Sequence, residues 1–286
     1  MERTFSAFRY LITASKDQYN LFASTKSKEE LIKEVFDDLE SNQKTIWTHG
    51  NKRYMFAGVE RYENLMFIKF AKHVSTKSYK ETESDISIEK VIEPKFIHLI
   101  IDESNQILLV ENNTQIFQKP RGSANLFSKF VSSTLKDENF KLNIYPLATA
   151  EKFWNQVKEA DSIYSLKLEF NAPNMALFAG ETTQEILKII KEETNNEELD
   201  VSVKNSKGNL KIKKSGIGKM IDYIREVGGE IIMKYKNIGD KKMNTFNSEQ
   251  DILNVHVKIE DENIDTDTKI NLIDILSKIS KLKTRK

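Results

Sequence analysis

The sequence predicts an α+β fold, with antiparallel sheets and packed helices in two subdomains. Three observations carry this. Short β-branched and aromatic runs are punctuated by turn tripeptides such as His49-Gly50-Asn51 and Glu103-Ser104-Asn105. Elsewhere apolar residues recur at helical spacing, as in Leu31, Ile32, Val35, Phe36 and Leu39. At 286 residues, 39% hydrophobic and 30% charged, the chain can bury one large or two modest cores and is too apolar for disorder.

In order, Thr4 to Ala14 reads as a first strand. Lys28 to Leu39 reads as a helix, with Ser27 as N-cap and Glu30 at its third position, the pattern of a capping box. Lys44 to Thr48 and Arg53 to Val59 form a hairpin, followed by a strand from Leu65 to Lys72. Val74 to Lys90 is rich in Ser, Thr, Lys and Glu and reads as a mobile linker, which divides the chain into an N-terminal subdomain (1–90) and a C-terminal domain (91–286).

Beyond Pro94, Phe96 to Asp102 and Gln106 to Glu111 pair as a hairpin. Pro120-Arg121-Gly122 reads as a tight turn, a setting for a phosphate contact or for simple solvation of Arg121. A helix is predicted over Ser123 to Lys136, a strand over Phe140 to Leu147 and a helix over Ala150 to Ala160. Ser162 to Phe170 is a strand that Asn171-Ala172-Pro173-Asn174 stops, and Thr183 to Glu193 is an amphipathic helix. Asp251 to Glu260 alternates as a strand, and Asp265 to Lys283 is a final helix, acidic at its start and basic at its end.

Between these last elements, Leu199 to Lys242 reads as strand, turn, basic segment, helix and strand. Val201 to Lys242 holds eleven Lys and Arg against four Asp and Glu, in a chain whose net charge is only +1. Lys204, Lys207, Lys211, Lys213 and Lys214 precede the helix, and Lys234, Lys236, Lys241 and Lys242 follow it. Such a concentration suits a polyanion, because neutralised phosphates release counterions. It equally suits a solvated lysine-rich surface. Bases also neighbour aromatics at Arg53-Tyr54, Arg61-Tyr62, Tyr223 with Arg225, and Tyr235-Lys236, pairs that can stack on nucleotides or fill a core.

Other chemistry finds little support. With zero cysteines there are no disulfides, thiolate nucleophiles or Cys-based zinc sites. His49, His73, His98 and His256 lack metal-ligand spacing, and His98 and His256 read as structural members of apolar strands. No G-x-S-x-G occurs, and Gly216-Ile217-Gly218-Lys219 is no phosphate loop, though its backbone amides could meet an anion at a helix start. Asp102, Glu103 and Glu169 lack the lysine spacing of a metal nuclease. The expectation is therefore a protein without catalysis, cofactor or metal. No apolar run approaches membrane-spanning length and the N-terminus lacks signal-peptide order, so a cytoplasmic location is expected.

The basic stretch resembles the RexA-like phage exclusion proteins. The matching residues are Leu199, Asp200, Val203 and Lys204, then Ile212, Lys213 and Lys214 ahead of a helix. Upstream, the block order is also similar: an N-terminal strand and helix, a hairpin carrying Tyr54 to Phe56, the segment Phe96 to Glu111, a strand ending in Tyr145-Pro146-Leu147, a small helix, and a strand over Leu166 to Phe170. The resemblance covers most of the chain through short motifs. It implies a role in phage exclusion, likeness to homodimeric DNA-binding proteins of the RdgC type, binding without sequence preference, and signalling to a membrane partner. Lys213 and Lys214 are the positions it carries over.

Together these readings predict a homodimer that binds duplex DNA through phosphate contacts in phage defence. Lys213 and Lys214 are central, and Lys207, Lys211, Lys219 and Arg225 support them. The alternative is a protein-interaction sensor that recognises a phage protein or a partner subunit, with the final helix (Ile270, Ile273, Leu276, Ile279) as a dimer seam; a membrane or phage-protein partner is a further expectation. A metal-dependent nuclease is the third reading.

Overall fold

In the computed structural model, residues 2–14, 26–81, 84–147, 150–171, 193–194, 198–215, 217–227, 229–250, 252–259 and 264–281 are described. They form five α-helices and twelve strands in two antiparallel sheets, the α+β class that the sequence predicts. The helix expected over Thr183 to Glu193 lies outside the described residues except at its last position. The chain divides into two compact units. Unit one holds Met1–Phe5, Ala14–Leu142 and His256–Leu282; unit two holds Ser6–Thr13, Asn143–Val255 and Lys283–Lys286.

The larger sheet has eight strands, β1 (Glu2–Ala14), β2 (Lys44–His49), β3 (Lys52–Tyr62), β4 (Leu65–Glu81), β5 (Ile86–Asp102), β6 (Ile107–Glu111), β7 (Phe140–Pro146) and β12 (Asn254–Lys258). Their order is β12-β1-β6-β5-β4-β3-β2, and β7 also pairs with β1. The Ala7 amide donates to the Leu253 carbonyl at 2.9 Å, and the Ala7 carbonyl accepts from Leu147 at 2.9 Å. Hence β1 is buried from Phe5 to Ile12, Ser6 and Arg9 included.

In unit one, helix α1 (Lys28–Asn42) starts with the expected capping box. The Glu30 amide donates to Ser27 Oγ at 3.2 Å and the Ser27 amide to Glu30 Oε2 at 2.7 Å, an arrangement that stabilises by about 1 kcal/mol. Helix α2 (Pro120–Thr134) packs on the inward face of the sheet through aromatics. The Phe56 ring lies 4.3 Å from Phe130 and 4.7 Å from Phe70. Pro120 to Gly122 is the first turn of α2 and not a separate tight turn, because Pro fits the first helical position, whose amide needs no partner within the helix.

Residues 74–90 correct the linker expectation. Strands β4 and β5 pair without interruption from Leu65↔Asp102 to Glu81↔Ile86. The distal half, Val74–Glu93 to its tip, is therefore a two-stranded ribbon, and the expected boundary at residue 90 falls inside a ladder. Loop-like composition misleads here because neither face of this ribbon has to be apolar; the backbone ladder and cross-strand pairs such as Tyr79–Ile88 hold it.

Helix α5 (Thr266–Lys281) buries Leu272 and Leu276 in unit one, leaving Ile270 exposed. Leu276 therefore faces inward and is no part of an open seam. Lys269, 6% exposed, bonds to Glu60 and sits 5.4 Å from the Phe67 ring centroid. Among the described residues, no helix is long and apolar enough to cross a membrane.

Candidate nucleic-acid interface

The basic stretch folds within unit two around a four-stranded sheet ordered β11-β10-β8-β9. These strands are β8 (Ser162–Asn171), β9 (Glu198–Lys204), β10 (Gly229–Lys236) and β11 (Asn244–Asn247). Their inward residues, among them Leu166, Leu168, Ile231, Met233 and Phe246, form one core with Phe153 of α3 (Ala150–Glu159) and with Ile221 and Ile224 of α4 (Ile217–Val227). Helix spacing places Ile217, Met220, Ile221 and Ile224 on that core and leaves Lys219 exposed.

The turn after β9 is fixed. The Asn205 amide donates to the Tyr164 carbonyl at 2.8 Å, and Asn205 Oδ1 accepts from the amides of Lys207 (3.0 Å) and Asn209 (3.3 Å). Gly208 closes the turn at φ +77, where a Cβ would stand 2.9 Å from Ser162 Cβ. The chain then bridges Ile163 at Asn209 in parallel and runs toward α4. Along this run Leu210 and Ile212 pack on the core, while Lys211 and Lys213 point outward and are exposed. Lys214 places its ammonium 5.7 Å from the Trp154 ring centroid. Gly218 lies where a Cβ would be 3.3 Å from the Lys213 carbonyl and 3.5 Å from Trp154 Cζ2, so this glycine allows the close approach of α4, the lysine segment and α3. Gly216 falls outside the described residues.

Strand alternation splits the wider basic stretch between two sides of the sheet. Val203 faces the core, so Lys204 faces outward. The register sets Lys234, Ser165 and Lys204 side by side on this outer face. Lys214, by contrast, lies on the helical side with Trp154. The outer face is also mixed in charge. Lys167 is bound by Glu169, and by Asp200 at 3.0 Å, hydrogen bonds that raise its pKa. Burial pushes the Glu230 carboxyl up, a bond from Asn247 (2.7 Å) opposes this, and the nearby Glu169 and Glu249 charges push it up further. Residues 204–242 therefore do not form a single positive surface. Lys207, Lys211, Lys213, Lys214 and Lys219 are exposed and, among the described residues, join no ion pair. Arg225 is on α4, and its side chain, like that of Tyr223, lies outside the described residues.

Arg61, Tyr62, Tyr54 and Tyr235, from the other base–aromatic pairs, make structural contacts. Arg61 lies among three carboxylates, with Nη1 2.9 Å from Asp37 and 3.3 Å from Glu40 and Nε 3.2 Å from Glu103. Burial lifts the Glu103 carboxyl, and Arg61 opposes that lift. Tyr62 faces the Lys269 ammonium at 5.8 Å, and Tyr54 and Tyr235 are core residues. His98 is the expected structural histidine, 4% exposed, with its Nδ1 and its backbone amide each 2.8 Å from Glu111 Oε2. His256 departs from expectation: it is exposed, 3.3 Å from Thr4 Oγ1. Among the described residues, no group of three or more His, Asp or Glu side chains is arranged to hold a metal ion.

Trp154 has no signal in the basic stretch itself. Its link to Lys214 arises only when α3 and α4 pack together.

Residues 17–279 match the family described as a domain of unknown function, DUF4747, and the chain belongs to that family. No curated protein matches the chain.

Proposed function

We propose that this DUF4747 member binds duplex DNA without sequence preference, through phosphate contacts from Lys207, Lys211, Lys213, Lys214 and Lys219, with Arg225 on the same helix as Lys219. The observation that carries this reading is the run from Asn209 to Lys214. Its apolar residues are anchored, its lysines project outward, and no carboxylate among the described residues neutralises them. Phosphate contacts of this kind add affinity without reading bases. On this reading the protein acts in the cytoplasm as a homodimer, without catalysis or cofactor. The resemblance to RexA-like proteins supports a role in phage exclusion, with a membrane or phage-protein partner downstream.

The test is a filter-binding salt series with Lys213→Glu and Lys214→Glu. Each lost phosphate contact removes about 0.9 from the slope of log affinity against log salt. Unrelated duplexes should all bind more weakly, with the slope reduced by about one to two units. Unchanged affinity and slope would remove these lysines from the site.

A second reading, recognition of a protein, draws on the β4–β5 ribbon. Tyr79, Ile86, Ile88 and Ile92 share one face of it and are 60–68% exposed. Absence of any low-salt gel shift with DNA or RNA would favour this reading.

A further inference from the structure

We propose that unit one carries a binding pocket for a small phosphate-bearing anion, lined by Lys52, Tyr54, Lys72, Phe117, Lys119 and Arg121. The cavity is about 470 Å³, within the usual range of small-molecule sites. Two structural features build it. Lys52 and Tyr54 are two residues apart on β3 and so share a face, and Tyr54 stands opposite Lys72 in the β3–β4 ladder. This is the face whose Phe56 and Phe70 belong to the aromatic core under α2. Against it comes the start of α2, with Lys119 as N-cap, Pro120 next and Arg121 after it.

Among the described residues, four cations and no carboxylate line this cavity. Among the described residues, Lys52, Lys72 and Lys119 join no ion pair. Like charges gathered around one space repel unless an anion enters it. The start of α2 also breaks the local rules that α1 obeys. Helix α1 has Ser27 as its cap and Glu29 and Glu30 in its first turn, whereas α2 has a lysine cap without a side-chain acceptor and no acidic residue in its first turn. The positive dipole end of α2 therefore meets cations where an acceptor belongs. A departure of this kind is expected where a site is built at the expense of local stability.

Tyr54 adds an independent sign. It is 4% exposed, its ring stacks on Phe70 at 5.8 Å, and its side chain makes no hydrogen bond among the described residues. Burial raises its pKa further above neutrality. A phosphoryl group supplies several acceptor oxygens and negative charge, which suits ammonium groups, a guanidinium and a phenol together. None of the lysines proposed to contact DNA lines this pocket, so the two proposals stand or fall separately.

The test is calorimetric titration of the full chain with pyrophosphate, ATP and adenosine, alongside thermal melting. Saturable binding of pyrophosphate and ATP, with none for adenosine, is expected. Lys72→Met should weaken pyrophosphate binding about tenfold, the size of one lost charge-assisted contact. Lys119→Ser should raise the melting temperature, because serine is the better cap, and yet weaken pyrophosphate binding about tenfold. A merely structural Lys119 would move only the first of these readouts. No heat with either phosphate probe, equal binding of adenosine and ATP, or unchanged pyrophosphate affinity in the folded Lys119→Ser chain would overturn the assignment. Displacement of pyrophosphate by duplex DNA would also overturn it, assigning the cavity to nucleic acid.

Discussion

The Lys214 ammonium stands 5.7 Å from the centre of the Trp154 ring, joining the exposed lysine segment to helix α3. Such a contact is worth about 0.5–1 kcal/mol at an exposed site, weak enough for a phosphate to draw the lysine away. Trp154 emission should therefore change when duplex DNA is added. A Trp47→Phe background isolates the signal, since the chain has only two tryptophans. In that background, Lys214→Met should bind DNA more weakly and lose the emission change. A full change in the Lys214→Met chain would sever Lys214 from DNA contact.

Gly229 is required by its surroundings. A Cβ there would lie 2.3 Å from the Glu169 carbonyl, and the residue sits at φ +151. Gly229→Ala should cost about 2 kcal/mol or more, measured as a lowered urea midpoint, because the added carbon meets backbone and not a movable side chain. Gly50→Ala is the comparison, with left-handed φ +58 but nothing within 4 Å, and should cost only about 1 kcal/mol. Equal losses at the two positions would contradict the close approach of β10 to β8.

Glu111 sets a pH dependence. Burial raises its carboxyl, but hydrogen bonds from the His98 side chain and backbone, the charge of His98 and a bond from Arg3 outweigh this, so its pKa falls below the ordinary 4.5. Arg3 Nη1 donates to Glu111 Oε1 at 2.8 Å. A carboxylate whose folded pKa is depressed stabilises fully above its unfolded value, and that contribution disappears as pH falls through the folded value. Glu111→Gln should therefore cost about 3 kcal/mol at pH 7, and the gap to the parent chain should shrink below pH 4.5. Stability curves that stay parallel from pH 7 to pH 3 would contradict this network.

The sequence was most legible where local chemistry decides. Ser27 and Glu30 announced α1, and His49-Gly50-Asn51 announced the first hairpin. It misled where hydrogen bonding replaced burial. The ribbon of β4 and β5 carries linker-like residues because its backbone ladder, rather than a core, orders it. Strand β11 went unseen because of its four residues only Phe246 is buried. The charge count in the basic stretch was correct but one-dimensional. It could not reveal that Lys204 and Lys234 turn to the outer face while Leu210 and Ile212 anchor the lysines between them. Nor could it find the pocket beside α2, whose cations come from three separated segments.

The position of β1 has a bearing on how the chain comes into being. The partners of this strand are β6, β7 and β12, and the last of them ends at Lys258. A ribosome would therefore release β1 well over two hundred residues before its last neighbour. Throughout that interval an unpaired edge of Phe5, Phe8, Tyr10 and Leu11 would be open to the wrong associations, so synthesis in the cell should depend on chaperone cover far more than the finished protein does.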